Sequence, residues 1–138
     1  MTMDKPLHIS ITDGASLEAA AQALHDAPFD EKDIRHDSTT QVFEMVLRHR
    51  VSGRLVPTRI RWLYREVEKP KARWVKCRLT FRQVEAADIR IDAPGGNELI
   101  GLEYDSPTRT VTFDTGGAVK IVLRVTELHG ELADITPT

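Results

Sequence analysis

A chain of 138 residues with 41 % apolar and 29 % charged content suits one soluble globular domain, residues 1–138, because single cores commonly close at about 100–150 residues. A formal net charge of −2 and a pI near 6.2 exclude a global pull toward nucleic acid, so any such attraction has to be local. No apolar run approaches the ~20 residues of a membrane span. The opening Met1-Thr2-Met3-Asp4-Lys5-Pro6 lacks the apolar stretch of a signal peptide, and the lone Cys77 has no partner for an internal disulfide. Together these predict a cytoplasmic protein with no membrane association.

In chain order, residues 7–12 predict an opening strand, with Leu7, Ile9 and Ile11 alternating against His8 and Ser10. A turn at Thr12, Asp13 and Gly14 follows, and Asp13 or Ser16 can cap a helix by accepting a first-turn N–H. The spacing of Leu17, Ala20, Ala21 and Leu24 predicts a helix over 16–26 whose small-residue face lies close on a sheet. Pro28 is expected to end it, since its ring lacks a donor and disfavours helix in the preceding residue. Asp26, Asp30, Glu31, Asp33 and Asp37 then suggest a solvated acidic turn; they miss the glycine and glutamate positions of a calcium loop.

Everything after Phe29 carries period-two alternation, the mark of a pleated strand. Strands are expected near 43–51, 58–66, 73–83, 89–91, 99–104, 110–113, 119–126 and 132–135. The connections carry turn residues at Ser52 with Gly53, Lys69 with Pro70, Pro94 with Gly95 and Gly96, Ser106 with Pro107, and Gly116 with Gly117. Such short links imply an antiparallel meander. The expected architecture is α+β: one N-terminal helix packed on a curved, mainly antiparallel sheet or a partly closed β-barrel.

The charge is unevenly distributed. Residues 48–82 hold twelve of the nineteen cations and only Glu66 and Glu68 as acids, while the flanks on either side are acidic. If 43–51, 58–66 and 73–83 pair as successive hairpins, one face takes Phe43, Met45, Leu47, Ile60, Trp62, Tyr64, Val75, Cys77, Leu79 and Phe81 as core. The other takes Arg48, Arg50, Arg59, Arg61, Arg65, Lys76, Arg78 and Arg82, with Trp74 and Leu63 among them. Like charges opposite one another across strands are destabilising, so something should relieve them. Internal relief would come from acids such as Glu44, Glu66 and Glu68, or from the acidic flanks folding over. External relief would come from a partner. Arginine exceeds lysine thirteen to six, and arginine suits forked contacts to carboxylate or phosphate. The candidate binding residues are Arg48, Arg50, Arg59, Arg61, Arg65, Trp74, Arg78 and Arg82, with Trp74 as an anchor. An acidic protein, or the acidic surface of a second copy, is the expected partner. Single-stranded nucleic acid is the alternative, with phosphates on the arginines and a base on Trp74.

Signs of catalysis are sparse. His25 with Asp26 and His36 with Asp37 look like the His-Asp doublet of metal-dependent phosphohydrolases, which makes a metal-dependent hydrolase the third alternative. That superfamily is all-helical, whereas His36 falls in a strand here. No metal-ligand spacing, phosphate loop or nucleophile elbow is present, and Asp134 or Glu131 with His129 offers only a single acid–histidine pair. The expectation is a non-enzymatic protein without cofactor or metal.

Two stretches carry a resemblance. Leu24-His25-Asp26-Ala27-Pro28-Phe29, followed by strands, is similar to the openings of small bacterial domains of unassigned function. Leu79-Thr80-Phe81 with Val84, Ile89 and Ile91 resembles the middle strands of small α+β domains, some of which occur as immunity proteins that neutralise a cognate toxin. The resemblance implies a bacterial, non-enzymatic, partner-binding protein.

Overall fold

The computed structural model describes residues 6–51, 73–92, 97–116 and 118–135. Period-two alternation dominates these segments, and they form one helix and ten strands: β1 (His8–Ile11), α1 (Gly14–Ala23), β2 (Ala27–Asp37), β3 (Val42–Val51), β4 (Arg73–Phe81), β5 (Val84–Ile91), β6 (Asn97–Leu99), β7 (Gly101–Asp105), β8 (Thr110–Asp114), β9 (Val119–Val125) and β10 (Gly130–Asp134). The class is α+β with antiparallel pairing, as expected. The strands divide into two sheets, ordered β1-β10-β4-β3-β2-β6 and β5-β9-β8-β7, and neither closes into a barrel.

The helix starts where its cap dictates. Asp13 accepts the Ser16 N–H at 2.8 Å while Ser16 Oγ accepts the Asp13 N–H at 3.1 Å, a reciprocal capping box. The Ser16 N–H is also the main reason the Asp13 carboxyl sits below its ordinary pKa. The helix ends at Ala23, three residues before the expected end at Asp26. Asp26 is already left-handed (φ 63°), and its N–H donates to Leu99 O at 2.8 Å. Pro28 therefore lies inside β2, opposite Glu98 on β6, and does not stop the helix.

The expected acidic turn is also a strand. β2 pairs with β3 from Ile34↔Met45 to Asp37↔Val42 and again at Phe29↔Leu47, so residues 30–33 face only Val46. This enlarged bulge carries Asp30 and Asp33 out of the ladder without breaking the strand.

The topology departs from a sequential meander. β10 inserts between β1 and β4, bringing the first and last strands together as Ile9↔Leu132. β3 and β4 are direct neighbours along their length, from Phe43↔Phe81 to Val51↔Arg73. The successive-hairpin expectation, with a strand at 58–66 between them, is thereby corrected. Residues 58–66 themselves lie outside the described residues.

One core draws on both sheets and the helix. It takes Leu17 and Ala20 from α1 and Leu24 just after it, Phe43, Met45 and Leu47 from β3, Cys77, Leu79 and Phe81 from β4, and Phe113, Ile121 and Leu123 from the second sheet. α1 packs against β1 and β7, an edge strand of each sheet. Phe113 joins the sheets: its ring meets Phe43 edge-on at 5.5 Å and Phe81 at 6.0 Å. Gly130 lets β10 approach β4, since a Cβ there would sit 2.7 Å from Thr80 O and 2.9 Å from the Phe81 ring. Phe113→Ala is expected to destabilise the fold by about 3–5 kcal/mol in urea unfolding, because it empties the junction between the sheets. A loss below about 1 kcal/mol would show that the sheets are held together elsewhere.

Candidate binding surface

The pleat sorts β3 and β4 by parity. Phe43, Met45, Leu47, Cys77, Leu79 and Phe81 point into the core, and Arg48, Arg50, Trp74, Lys76 and Arg78 point out. The register sets the outward side chains in cross-strand pairs: Glu44↔Thr80, Val46↔Arg78, Arg48↔Lys76 and Arg50↔Trp74.

This face has two halves. In one, Arg78 Nε lies 3.8 Å from Glu44 Oε2, and Glu131 of β10 stands opposite Thr80. Glu44 thus gives Arg78 internal relief. In the other half, Arg48, Arg50 and Lys76 are exposed, and none has an ion-pair partner among the described residues. Trp74, 45 % exposed, stands beside them opposite Arg50. Arg82 follows β4, is exposed, and donates its backbone N–H to His129 O at 2.8 Å. At about 3.3 Å per residue it lies roughly 25 Å along the sheet from Trp74. The structure therefore groups Arg48, Arg50 and Trp74 with Lys76, gives Arg78 an acid, and sets Arg82 apart. Arg59, Arg61 and Arg65 lie outside the described residues.

The inner side of the same strands holds a group that was not singled out from the sequence. His49 shares the parity of Phe43, Met45 and Leu47, faces inward and is only 8 % exposed. Its Nε2 donates to Asp134 Oδ1 at 2.6 Å, and Asp134 Oδ2 accepts the Leu7 N–H at 2.9 Å. A histidine at a core parity position was the available signal, because a buried imidazole needs a partner. Asp134 pairs with His49 and not with His129, while Glu131 stands 3.6 Å from His8. Beneath this bond lies Cys77, a free thiol whose Sγ donates to Leu47 O at 3.6 Å. Burial, with a smaller contribution from the Asp134 charge, pushes the thiol up to about 12.

The His-Asp doublets do not assemble into a centre. His25 Nε2 lies 3.5 Å from Asp26 Oδ2 in the exposed turn after α1, whereas the His36 ring on β2 reaches Val84 O at 3.4 Å. Asp37 instead accepts the backbone N–H groups of Thr39 and Thr40, which lower its pKa. Among the described residues no group of three or more His, Cys, Asp or Glu is placed to hold a metal ion, and no helix is long and apolar enough to cross a membrane. Comparison with protein-family models, curated proteins and solved structures finds no match.

Three outcomes follow from the inner cluster. Asp134→Ala leaves His49 and the Leu7 N–H without their acceptor, and is expected to cost about 2–3 kcal/mol in urea unfolding; a change under about 0.5 kcal/mol would deny the bond a structural role. The Cys77 thiol, raised from 9.0 to about 12 in the fold, stabilises the native state fully below pH 9 and loses that contribution as pH climbs toward 12. Wild type should therefore lose more stability than Cys77→Ala between pH 8 and pH 11. Labelling of the native thiol at pH 8 should run no faster than opening of the fold measured by hydrogen exchange.

Proposed function

We propose that this chain is a non-enzymatic binding protein that docks an acidic protein surface through the outer face of β3 and β4, with the acidic surface of a second copy as a special case. The observation that carries this reading is the exposed group Arg48, Arg50, Lys76 and Trp74, set as two cross-strand pairs with no acid paired to it among the described residues. Arg48 directly opposite Lys76 is unfavourable in the free protein, by about 0.2–1 kcal/mol for such like-charge pairs. A carboxylate-bearing partner converts that cost into attraction. Arginine with tryptophan is also the composition that dominates binding hot spots.

The rest of the chain supports an acidic partner over a neutral one. Outside residues 48–82 the sequence is acidic on both sides, and Glu103, Asp105 and Asp114 are exposed along β7 and β8 of the second sheet. A second copy could present that strip to the cations of the first. Arg59, Arg61 and Arg65 fall in the same basic stretch and belong to the proposed docking set on charge alone. A single, buried, unbridged thiol agrees with a reducing cytoplasmic setting.

The test is Arg48→Glu combined with Arg50→Glu. Both side chains are exposed, so circular dichroism and the thermal midpoint should stay close to wild type. Light scattering at low salt reads self-association, and affinity purification from the native host reads other partners. The double variant is expected to weaken the complex by at least about 100-fold, and added salt to weaken the wild-type complex. A complex that survives both changes would overturn the proposal. A bound nucleic acid that elutes with salt and is lost on Trp74→Ala would replace the protein partner with the runner-up.

A further inference from the structure

Where the β2 bulge leaves β3, a cleft of about 370 Å³ opens in the sheet. That volume falls within the roughly 300–1,000 Å³ range of small-molecule sites. One wall is acidic, with Asp30 and Asp33 from the bulge and Glu98 from β6; the other is cationic, with Arg48 from β3 and Lys76 from β4. Phe29 and Val46 supply an apolar surface between them. Asn97 also lines the cleft, opposite Phe29, which in turn pairs with Leu47.

Asn97 is the informative residue. It is only 3 % exposed, and its Nδ2, with two N–H groups to donate, has no hydrogen-bond partner. A buried donor without an acceptor destabilises a fold, and native structures carry few of them. This one borders a cleft whose other polar groups include no neutral acceptor from a side chain. Asp30 is partly engaged, since its Oδ1 accepts the Lys32 N–H at 3.1 Å. Arg48 and Lys76 have no ion-pair partner among the described residues.

The charges narrow the ligand class. A simple anion would face three carboxylates, and a simple organic cation would face a guanidinium and an ammonium. A metal ion lacks a converging set of three ligands among the described residues. A molecule carrying both signs satisfies both walls. We infer that the cleft binds a small zwitterion of the α-amino-acid class. Its carboxylate meets Arg48, Lys76 and the Asn97 amide, its ammonium meets the acidic wall, and its side chain lies against Phe29 and Val46.

Arg48 and Lys76 also belong to the proposed docking face, so the test turns on Asn97 and Asp33, which do not. The purified protein is titrated by calorimetry with L-alanine and L-leucine, and separately with acetate and methylammonium as the two halves of the ligand. Saturable binding of the amino acids is expected, at least about tenfold tighter than either half. Asn97→Leu should weaken it about tenfold, the size of a lost hydrogen bond to a charged group, while raising the thermal midpoint because the orphan donor is gone. Asp33→Asn should weaken the amino acids and leave acetate unaffected. No binding at millimolar concentration, acetate binding as tightly as the amino acids, or an unchanged affinity in Asn97→Leu would each overturn the inference. These measurements need no macromolecular partner, so they can succeed or fail independently of the docking proposal.

Discussion

The bond between His49 and Asp134 is the constraint on which the rest of this face depends. It reaches from β3 to β10 over the intervening strand β4, and its second oxygen takes the Leu7 N–H at the entrance to β1. Four strands are thereby tied at one end of the sheet. Because successive side chains alternate across a strand, an inward His49 requires outward Arg48 and Arg50. A one-residue slip of β3 would turn Met45 and Leu47 out of the core and carry both arginines into it beside Cys77 and Leu79. The buried pair and the hydrophobic pattern specify the same register. The exposed cations are thus held in register by a largely buried polar contact on the opposite face of the sheet.

That register also explains why the basic face is not uniform. Glu44 sits one pair along from Arg78 and close enough to meet it, and Glu131 adds a second acid at the same end. No outward acid on β3 or β4 lies beyond Glu44 in the direction of Val51 and Arg73. Among the described residues the cations there have no ion-paired acid, and Trp74 stands beside them. Arginine stems can cover apolar surface while their heads stay hydrated, so the arrangement is tolerable in a free protein. It is still less favourable than the paired end, and this asymmetry is what a partner would exploit.

Legibility in the sequence followed the range of the interactions. Strand parity in β3 and β4 could be read directly, because every second residue reports its own face; the core and outward sets match the alternation wherever the residues are described. The N-terminal cap was equally local, with Asp13 and Ser16 three residues apart. Pairing partners were not legible. Alternation predicts a strand without naming its neighbour, so the direct β3–β4 contact and the β1–β10 closure could not be read from residues far apart in the chain. The turns show a second gap. Gln41 (φ 58°) and Gln83 (φ 56°) adopt left-handed conformations without glycine, asparagine or aspartate to announce them, and each is held by its carbonyl accepting a distant N–H, from Val84 and Thr126 respectively. Acidic composition likewise hid β2, because a strand whose middle is bulged outward does not need to alternate there.

The bulge concentrates the exceptions of this fold in one place. Three features break local rules: a stretch of residues 30–33 facing a single partner residue, a like-charge pair at Arg48 and Lys76, and a buried amide with an unused donor at Asn97. Each alone is an ordinary imperfection. All three border the same cleft. Sequences that specify a fold well satisfy such rules nearly everywhere, and departures gather where a structure serves something other than its own stability. An amide without an acceptor and two cations without an ion-paired acid among the described residues are complementary deficits: both call for the same kind of oxygen. A hydrophobic residue at position 97 would remove one deficit at no cost to the β2–β6 ladder, which is built from backbone bonds. An asparagine at this position, unlike a hydrophobic residue, can donate to the inferred ligand, and the cation pair beside it favours an acceptor that carries negative charge.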